Sequence, residues 1–326
     1  TRFATAKRVH HIVKLYRKAW RRTIGRVSLR RIMQRKTLKT MAKKDLGRTI
    51  LDELRICYTA EPTLLDDLAE IDFGDWKNYG DFTLFRVVSK HFRYAYEVFY
   101  GLEFENRKKV ASLRFGHYVE QRQSAYIYFR VENEVLYNQE LLITSLTLPD
   151  LFGMNFQHYT SIDTARDYKF NAVQRIRRIA KDKDVKVIVN GKVVDKEKDI
   201  REGMFVFPLN FKKLSNPTIT VKQAKAIKDK TKGLSLCGYN KNKEIESASH
   251  KDYIKDFYGN PKSLHRLEVH QNNEEIKDFC KRNKIVQDIN LIFNQDFLDA
   301  MYEAHLSSLL RFTKGRTKIE WKEILH

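Results

Sequence analysis

An α+β fold with a mainly antiparallel sheet flanked by helices is predicted by three features of the 326-residue sequence. Aromatic and β-branched segments at 82–88, 94–100, 110–118 and 124–131 are separated by polar or charged turns, the pattern of an antiparallel meander. In VKVIVNGKVVDK, Asn190 and Gly191 lie between two valine-rich runs, and this pair supplies the positive φ that a two-residue hairpin turn requires. Residues 289–310 carry Leu291, Ile292, Phe293, Phe297, Leu298, Met301, Leu306, Leu309 and Leu310 at amphipathic spacing, which predicts one long helix.

Residues 1–40 hold 14 Lys and Arg and no acid, so two thirds of the formal net charge of +21 falls in the first eighth of the chain. Val9, Ile12, Val13, Leu15, Tyr16 and Trp20 have partly helical spacing there, consistent with a basic amphipathic helix on phosphates, and an Arg-rich leader would share this composition. Met41 opens a run that resembles a natural protein start. Residues 1–40 are therefore an N-terminal extension whose membership of the domain proper is open, 41–288 form the main domain, and 289–326 form a C-terminal helical segment. The closing run IEWKEILH carries no stop signal, which leaves room for further C-terminal sequence.

The main domain opens with an expected strand over 49–59, with Leu54, Ile56 and Tyr58 on one face. The acidic stretch 60–80 predicts a short helix and loop whose carboxylates form a solvated face rather than a metal site. Leu136 to Leu148 is a helix or strand transition ending before Pro149. Over 161–168, alternation puts Asp163, Ala165 and Asp167 on one face with Ser161. A basic helix over 171–180 carries Arg175, Arg177 and Arg178. A strand pair around 204–211 leads into a second basic helix over 221–232, whose Lys222, Lys225, Lys228, Lys230 and Lys232 would meet DNA backbone. Residues 273–284 predict a short charged helix.

A pI near 9.7 calls for a polyanionic partner, of which nucleic acid is the commonest. No run of about 18 uncharged apolar residues is present to span a bilayer. Three cysteines without C-x-x-C spacing fit a reducing cytoplasm. There is no G-x-x-x-x-G-K-S/T phosphate loop and no zinc arrangement of the C-x-x-C or H-E-x-x-H kind. The runs RFGHYVEQRQ and AYIYFRVEN set aromatics beside arginines, a mixture that can stack unpaired bases. Most of these aromatics are assigned to the sheet core, with His117 and Tyr118 as exceptions.

The stretch 232–271 concentrates the chemistry. Two short strands are expected, joined by a helical or looped excursion. Ser235, Cys237, Tyr239 and Lys241 share a face of the first, and Arg266, Glu268 and His270 share a face of the second. A phenol is a weak nucleophile and needs a cation or metal to stabilise its phenolate, so Lys241 and the carboxylates Glu244, Glu246 and Glu268 are the natural helpers. The plainer reading is a half-buried packing tyrosine with a solvated charged rim.

The segment Y-N-K-N-K-E at 239–244, the later L-H-R-L-E-V run at 264–269 and the upstream SIDTARDYK at 161–169 together resemble rolling-circle replication initiators of the filamentous-phage gene-two and plasmid Rep-transfer type. The resemblance covers roughly residues 50–290. It implies a Rep-type nicking domain in which Tyr239 is the nucleophile, Lys241 its neighbouring cation, and Asp163, Glu244 and Glu268 the metal-site carboxylates. Asp167, Glu246, Arg266 and His270 are auxiliaries, and the ion would be Mg²⁺ or Mn²⁺. It also implies cytoplasmic replication of a plasmid or phage-like element, with single-stranded or supercoiled origin DNA as substrate and a host helicase and polymerase as partners. A relaxase for mobilisation would use the same chemistry, and a noncatalytic nucleic-acid-binding protein would explain the charge without the tyrosine. The histidine-hydrophobic-histidine pair of another nickase class is absent, since His10 and His11 are adjacent and His265 and His270 are wrongly spaced.

Overall fold

The computed structural model describes residues 46–101, 104–117, 126–195, 218–223 and 233–325. The basic segment 1–40, Tyr118, the strand pair expected around 204–211, and Lys225, Lys228, Lys230 and Lys232 lie outside these residues.

The chain is α+β. Strand β1 (Thr49–Thr59) spans the range expected of it, and Leu54, Ile56 and Tyr58 all point into the core. Helix α1 (Pro62–Ala69) follows, and the end of the acidic stretch forms β2 (Trp76–Tyr79) instead of loop. The meander is then completed by β3 (Phe82–Arg86), β4 (Phe92–Tyr100), β5 (Lys108–His117) and β6 (Tyr126–Val131). The transition at 136–148 is helical: α2 (Asn133–Leu136), α3 (Gln139–Ser145) and α4 (Thr147–Leu151). Strand β7 (Asn155–Tyr168) leads to α5 (Ala172–Lys181), and the Asn-Gly hairpin joins β8 (Val185–Val189) to β9 (Lys192–Val193). Asn190 and Gly191 adopt φ of 50° and 79°, as the turn chemistry demands. Lys222 ends a strand, β10 (Ile219–Lys222), and is not helical, because Val221 and Ile219 alternate into the core against β11 (Ser235–Asn240).

The excursion after β11 consists of α6 (Lys241–Glu244), a π-helical turn over Ile245–Ser249 and α7 (Asp252–Phe257), before β12 (His265–Asn272). The rest is α8 (Asn273–Arg282), α9 (Gln295–Leu309), the hairpin β13 (Leu310–Lys314) with β14 (Thr317–Ile319), and α10 (Trp321–Leu325). The expected helix over 289–310 is interrupted at Asn294, whose side chain caps α9 by accepting from the Phe297 N–H at 3.2 Å. A 3₁₀ turn precedes it and Leu310 begins β13.

Among the described residues the main sheet runs β10-β11-β12-β7-β1-β6-β5-β4-β3-β2 with antiparallel pairing, and β14-β13-β8-β9 form a smaller one. Helices line one face of the large sheet. There Tyr302 of α9 donates to the Leu267 carbonyl at 3.2 Å, and Ile276, Phe297, Leu298 and Met301 share one core with Leu54 and Ile56. Because side chains alternate along a strand, Glu53 of β1, Asp163 and Asp167 of β7, Tyr239 of β11 and Arg266, Glu268 and His270 of β12 are left on the opposite face, while Arg166 of β7 meets Asp299 and Glu303 of α9 on the helix side.

Gly238 fixes how closely α5 approaches this sheet. A Cβ there would stand 2.6 Å from Ile219 Cγ2, 2.7 Å from Leu267 Cδ2 and 3.1 Å from Val173 Cγ2. Gly238→Ala is expected to destabilise the fold by about 1–3 kcal/mol through overpacking, read as a lower urea midpoint; an unchanged midpoint would show that the helix moves aside freely.

Candidate functional site

The site is built on the open face of β11, β12, β7 and β1, at the middle of the large sheet. Strand pairing sets Tyr239 opposite Arg266, Cys237 opposite Glu268, Arg266 opposite Asp167, and His270 opposite Asp163. Antiparallel partners project to the same side, so three separated stretches of sequence bring these side chains onto one surface.

Beneath the surface lies an ion network whose centre, Arg266 with Asp167, is fully buried. Arg266 Nε donates to Asp167 Oδ1 at 2.8 Å and Nη2 to Asp167 Oδ2 at 2.7 Å, a bidentate pair with no exposure on either side chain. Its Nη1 reaches Asp52 Oδ1 at 2.6 Å, and Nη2 also donates to Tyr137 Oη at 2.8 Å. The Tyr137 hydroxyl in turn donates to Asp52 Oδ1 at 2.6 Å. Asp52 comes within reach through an irregularity in β1. Leu51 pairs with Thr164 and Glu53 with Asp163, so Asp52 is an extra residue that bulges onto the open face. Burial would raise Asp52, but the charges of Arg266 and Lys241 outweigh it and hold the carboxyl well below the usual range. Asn133 donates to the Asp52 backbone carbonyl and accepts from the Tyr253 hydroxyl at 2.5 Å, so α2 and α7 are tied to the same acid. Asp167 and Arg266 are thus engaged with each other below the surface.

Above this network, the Tyr239 hydroxyl donates to Glu268 Oε2 at 2.9 Å, and Lys241 Nζ lies 3.4 Å from the Tyr239 oxygen. Lys241 does not continue the strand. Asn240 accepts from the Lys243 N–H at 3.0 Å and caps α6, turning the chain so that Lys241 folds back over the tyrosine ring, 5.4 Å from its centroid. Lys241 is buried and pairs with Glu244 at 2.8 Å. Burial, with Arg266 nearby, moves its ammonium below the ordinary lysine value. Burial pushes the Tyr239 phenol well above its ordinary value; Arg266 opposes this, while Glu268 and Asp52 reinforce it. Burial and the Asp52 charge push Glu268 up to about 7.

Beside Glu268 stands a group with metal-ligand character: Glu53, Asp163 and His270, whose ligand atoms all lie within 4.8 Å of one another. His270 Nδ1 and Asp163 Oδ1 are 2.5 Å apart. Burial would lower His270, but Asp163 and Glu53 carry it above its usual value. Burial raises Asp163 against the pull of His270, and the neighbouring charges of Glu53 and Asp52 add to the rise. Two carboxylates with one imidazole suit a divalent ion, and Glu53, whose oxygens are held by Arg55 and Arg130 at 2.8 and 3.1 Å, would exchange part of that pairing for the ion. These residues, with Glu268, Asp52, Arg130, Asn133 and Lys251, line a polar cleft of about 200 Å³.

Of the residues expected from sequence, the fold gathers Tyr239, Lys241, Asp163, Glu268, Arg266, Asp167 and His270. Glu244 instead faces Lys241, and Glu246 pairs with Lys255 at 3.1 Å on the excursion. Helix α5 packs on the face toward which Gly238 points, so Arg175, Arg177 and Arg178 are carried on the opposite side of the sheet from Tyr239. Arg175 stacks over Phe170 at 3.7 Å. Lys222 sits in β10, where its carbonyl accepts from Asn190. Glu53 and Asp52 were missed. The alternation that sends Leu54 and Ile56 inward already placed Glu53 on the polar face of β1, whereas the bulge that turns Asp52 the same way carries no sequence signature.

No protein-family model matches this sequence, and no curated protein does. The chain is similar in structure to a solved rolling circle replication initiator protein from Geobacillus stearothermophilus. The TM-score is 0.40 at 8% identity, over 82% of this chain and 88% of that one.

Two measurements probe this site. Arg266→Met leaves Asp52 and Asp167 buried without their cation and is expected to cost about 3–5 kcal/mol in urea unfolding; a loss below about 1 kcal/mol would show the network to be dispensable. In calorimetric titration with Mn²⁺, Glu53→Gln and His270→Asn should each weaken binding at least about tenfold, and Glu244→Gln should leave it unchanged. A Glu244 effect equal to that of Glu53 would place the ion nearer α6.

Proposed function

We propose that this chain is a tyrosine-dependent DNA-nicking enzyme that initiates rolling-circle replication of a small plasmid or phage-like element. The observation that supports it most is the position of the Tyr239 hydroxyl, hydrogen-bonded to Glu268 and adjacent to Lys241, on the same sheet face as Glu53, Asp163 and His270. The phenol is half-buried, is bonded to Glu268 of the polar cleft and belongs to neither of the two large apolar clusters. The motifs at 161–169, 239–244 and 264–269 that carry the family resemblance fall on β7, on the end of β11 with α6, and on β12, and these three strands are neighbours in the sheet.

In the proposed step the Tyr239 oxygen attacks one phosphodiester phosphorus, a new O–P bond forms, and the P–O3′ bond breaks. The phenolic proton passes to Glu268, whose raised affinity for protons makes it a suitable acceptor. Lys241 offsets the negative charge that develops on the phenolic oxygen. The departing 3′ oxygen takes a proton from solvent and becomes the hydroxyl from which a host polymerase extends. The 5′ phosphate stays on Tyr239, so bond energy is conserved and no nucleoside triphosphate is consumed. A divalent ion, Mg²⁺ or Mn²⁺, held by Glu53, Asp163 and His270 would supply positive charge for the phosphoryl oxygens. Glu268 lines the same cleft but is already engaged with the phenol, which makes it a proton acceptor in this scheme instead of a ligand.

Incubation with Mn²⁺ and a pool of labelled single-stranded oligonucleotides, followed by peptide mass spectrometry, tests the scheme. A phosphodiester-linked oligonucleotide on the Tyr239 peptide is expected, vanishing in Tyr239→Phe and in EDTA. An adduct that survives Tyr239→Phe, or its absence from the unmodified protein, would end the reading.

A further inference from the structure

The run AYIYFRVEN resolves into two faces once it is placed in the sheet. Ile127, Phe129 and Val131 enter the core, which leaves Tyr126, Tyr128 and Arg130 on the open face of β6. Tyr126 is 45% exposed. Arg130 pairs across the sheet with Arg55 of β1, and Tyr128 pairs with Arg114 of β5. All three arginines are exposed. Side chains two apart on a strand stand about 6.8 Å from each other, close to the reach of successive nucleotides in an extended strand. Two tyrosines and three guanidiniums therefore form a continuous surface, and Arg130 is itself part of the cleft that holds Glu53, Asp163 and Glu268.

The charge pattern indicates an anionic occupant. Arg55 Nε contacts Glu53 Oε1 at 2.8 Å and Arg130 Nη2 contacts Glu53 Oε2 at 3.1 Å, so one carboxylate serves two cations. No acid forms an ion pair with Arg114 among the described residues. Burial, with Arg130 and Arg55 close by, holds its guanidinium below the ordinary value against the opposing charge of Glu132. Two guanidiniums share Glu53 and Arg114 stands beside them without an ion pair among the described residues, a crowding that phosphates relieve, and aromatic faces beside them recognise bases only when those bases are unpaired.

We propose that Arg55, Arg114 and Arg130 with Tyr126 and Tyr128 form a track for single-stranded DNA, which guides the strand flanking the scissile phosphate across the open sheet face into the cleft. The track rests on the nicking reading for its direction, and its existence is measured separately from cleavage. Guanidiniums take the phosphates and the tyrosines stack the bases. A fully paired duplex offers its phosphates but hides its base faces, so it would use only half of this surface.

The experiment uses the whole chain in EDTA, where no cleavage is expected, with a fluorescent single-stranded oligonucleotide and a duplex of the same sequence. Arg114→Gln should weaken single-strand binding about tenfold at low salt and reduce the slope of log K against log salt by about 0.7. Tyr126→Ala should weaken single-strand binding at least about fivefold through lost stacking, with duplex binding unchanged. A photo-crosslink from a 5-iodouracil oligonucleotide to the unmodified protein reads the site without any substitution, and Tyr126 or Tyr128 should carry it. Crosslinks there support the track whether or not Tyr239 forms its adduct, whereas an adduct at Tyr239 with crosslinks mapping only elsewhere overturns the track alone. Equal losses on single strand and duplex in Tyr126→Ala, or wild-type single-strand affinity in both variants, would also overturn it.

Discussion

A single guanidinium buried between two carboxylates organises this molecule. Arg266 has no exposure, and its partners belong to β7, to the bulge in β1 and, through Tyr137, to the segment after α2. An arginine in that setting is tolerable only if each of its donors is matched, because an unpaired buried charge costs several kcal/mol. The requirement is met by the pairing of β12 with β7, which sets Asp167 opposite Arg266, and by the bulge that turns Asp52 onto the same face. It also explains the roof. Ile245, Ile254, Tyr258 and Leu264 pack with Tyr137, Tyr253 and Phe257 beside the network, giving the excursion between β11 and β12 its own small core.

The same network divides the acids of the open face into two kinds. Asp167 is bound to Arg266 below the surface and Asp52 is held by the same guanidinium at the wall of the cleft, while Glu268, Asp163 and Glu53 line the cleft without contact to Arg266. Ala165 contributes by its size, since it sits between Asp163 and Asp167 on β7 and pairs with Glu268, which leaves room for the longer side chain. The phenol of Tyr239 thereby meets a carboxylate as acceptor, a lysine as cation and, one step along the sheet, a ligand group for a divalent ion. Burial makes the phenolate costly in the resting state, so charge has to be balanced when the tyrosine reacts.

Much of the fold was legible because local signals and the global pattern agree. The strand at 49–59, the Asn-Gly hairpin and the basic helix after Asn171 all follow from alternation or turn and cap chemistry confined to a few residues. The misreadings had tertiary causes. Lys222 lies in lysine-rich sequence that reads as helix, yet pairing of Ile219 and Val221 with β11 makes it strand. Glu244 sits three residues from Lys241 and is claimed by that cation, so its place in the motif did not bring it to the ligand group. Tyr126 and Tyr128 were assigned with Phe129 to the core, although the period of two separates them once the buried face of β6 is known.

The amino-acid sequence by itself determined the α+β class, the strands that carry Tyr239, Glu268, His270 and Asp163, and the faces on which they lie, because alternation is a local property of extended chain. Only the tertiary structure decided that Glu53 joins Asp163 and His270, that Asp52 and Asp167 are withdrawn to neutralise Arg266, and that Glu244 stands apart. These outcomes depend on which strands become neighbours, on a one-residue bulge, and on where a buried charge must find its partners, and such long-range constraints leave no periodic trace in the residues that obey them.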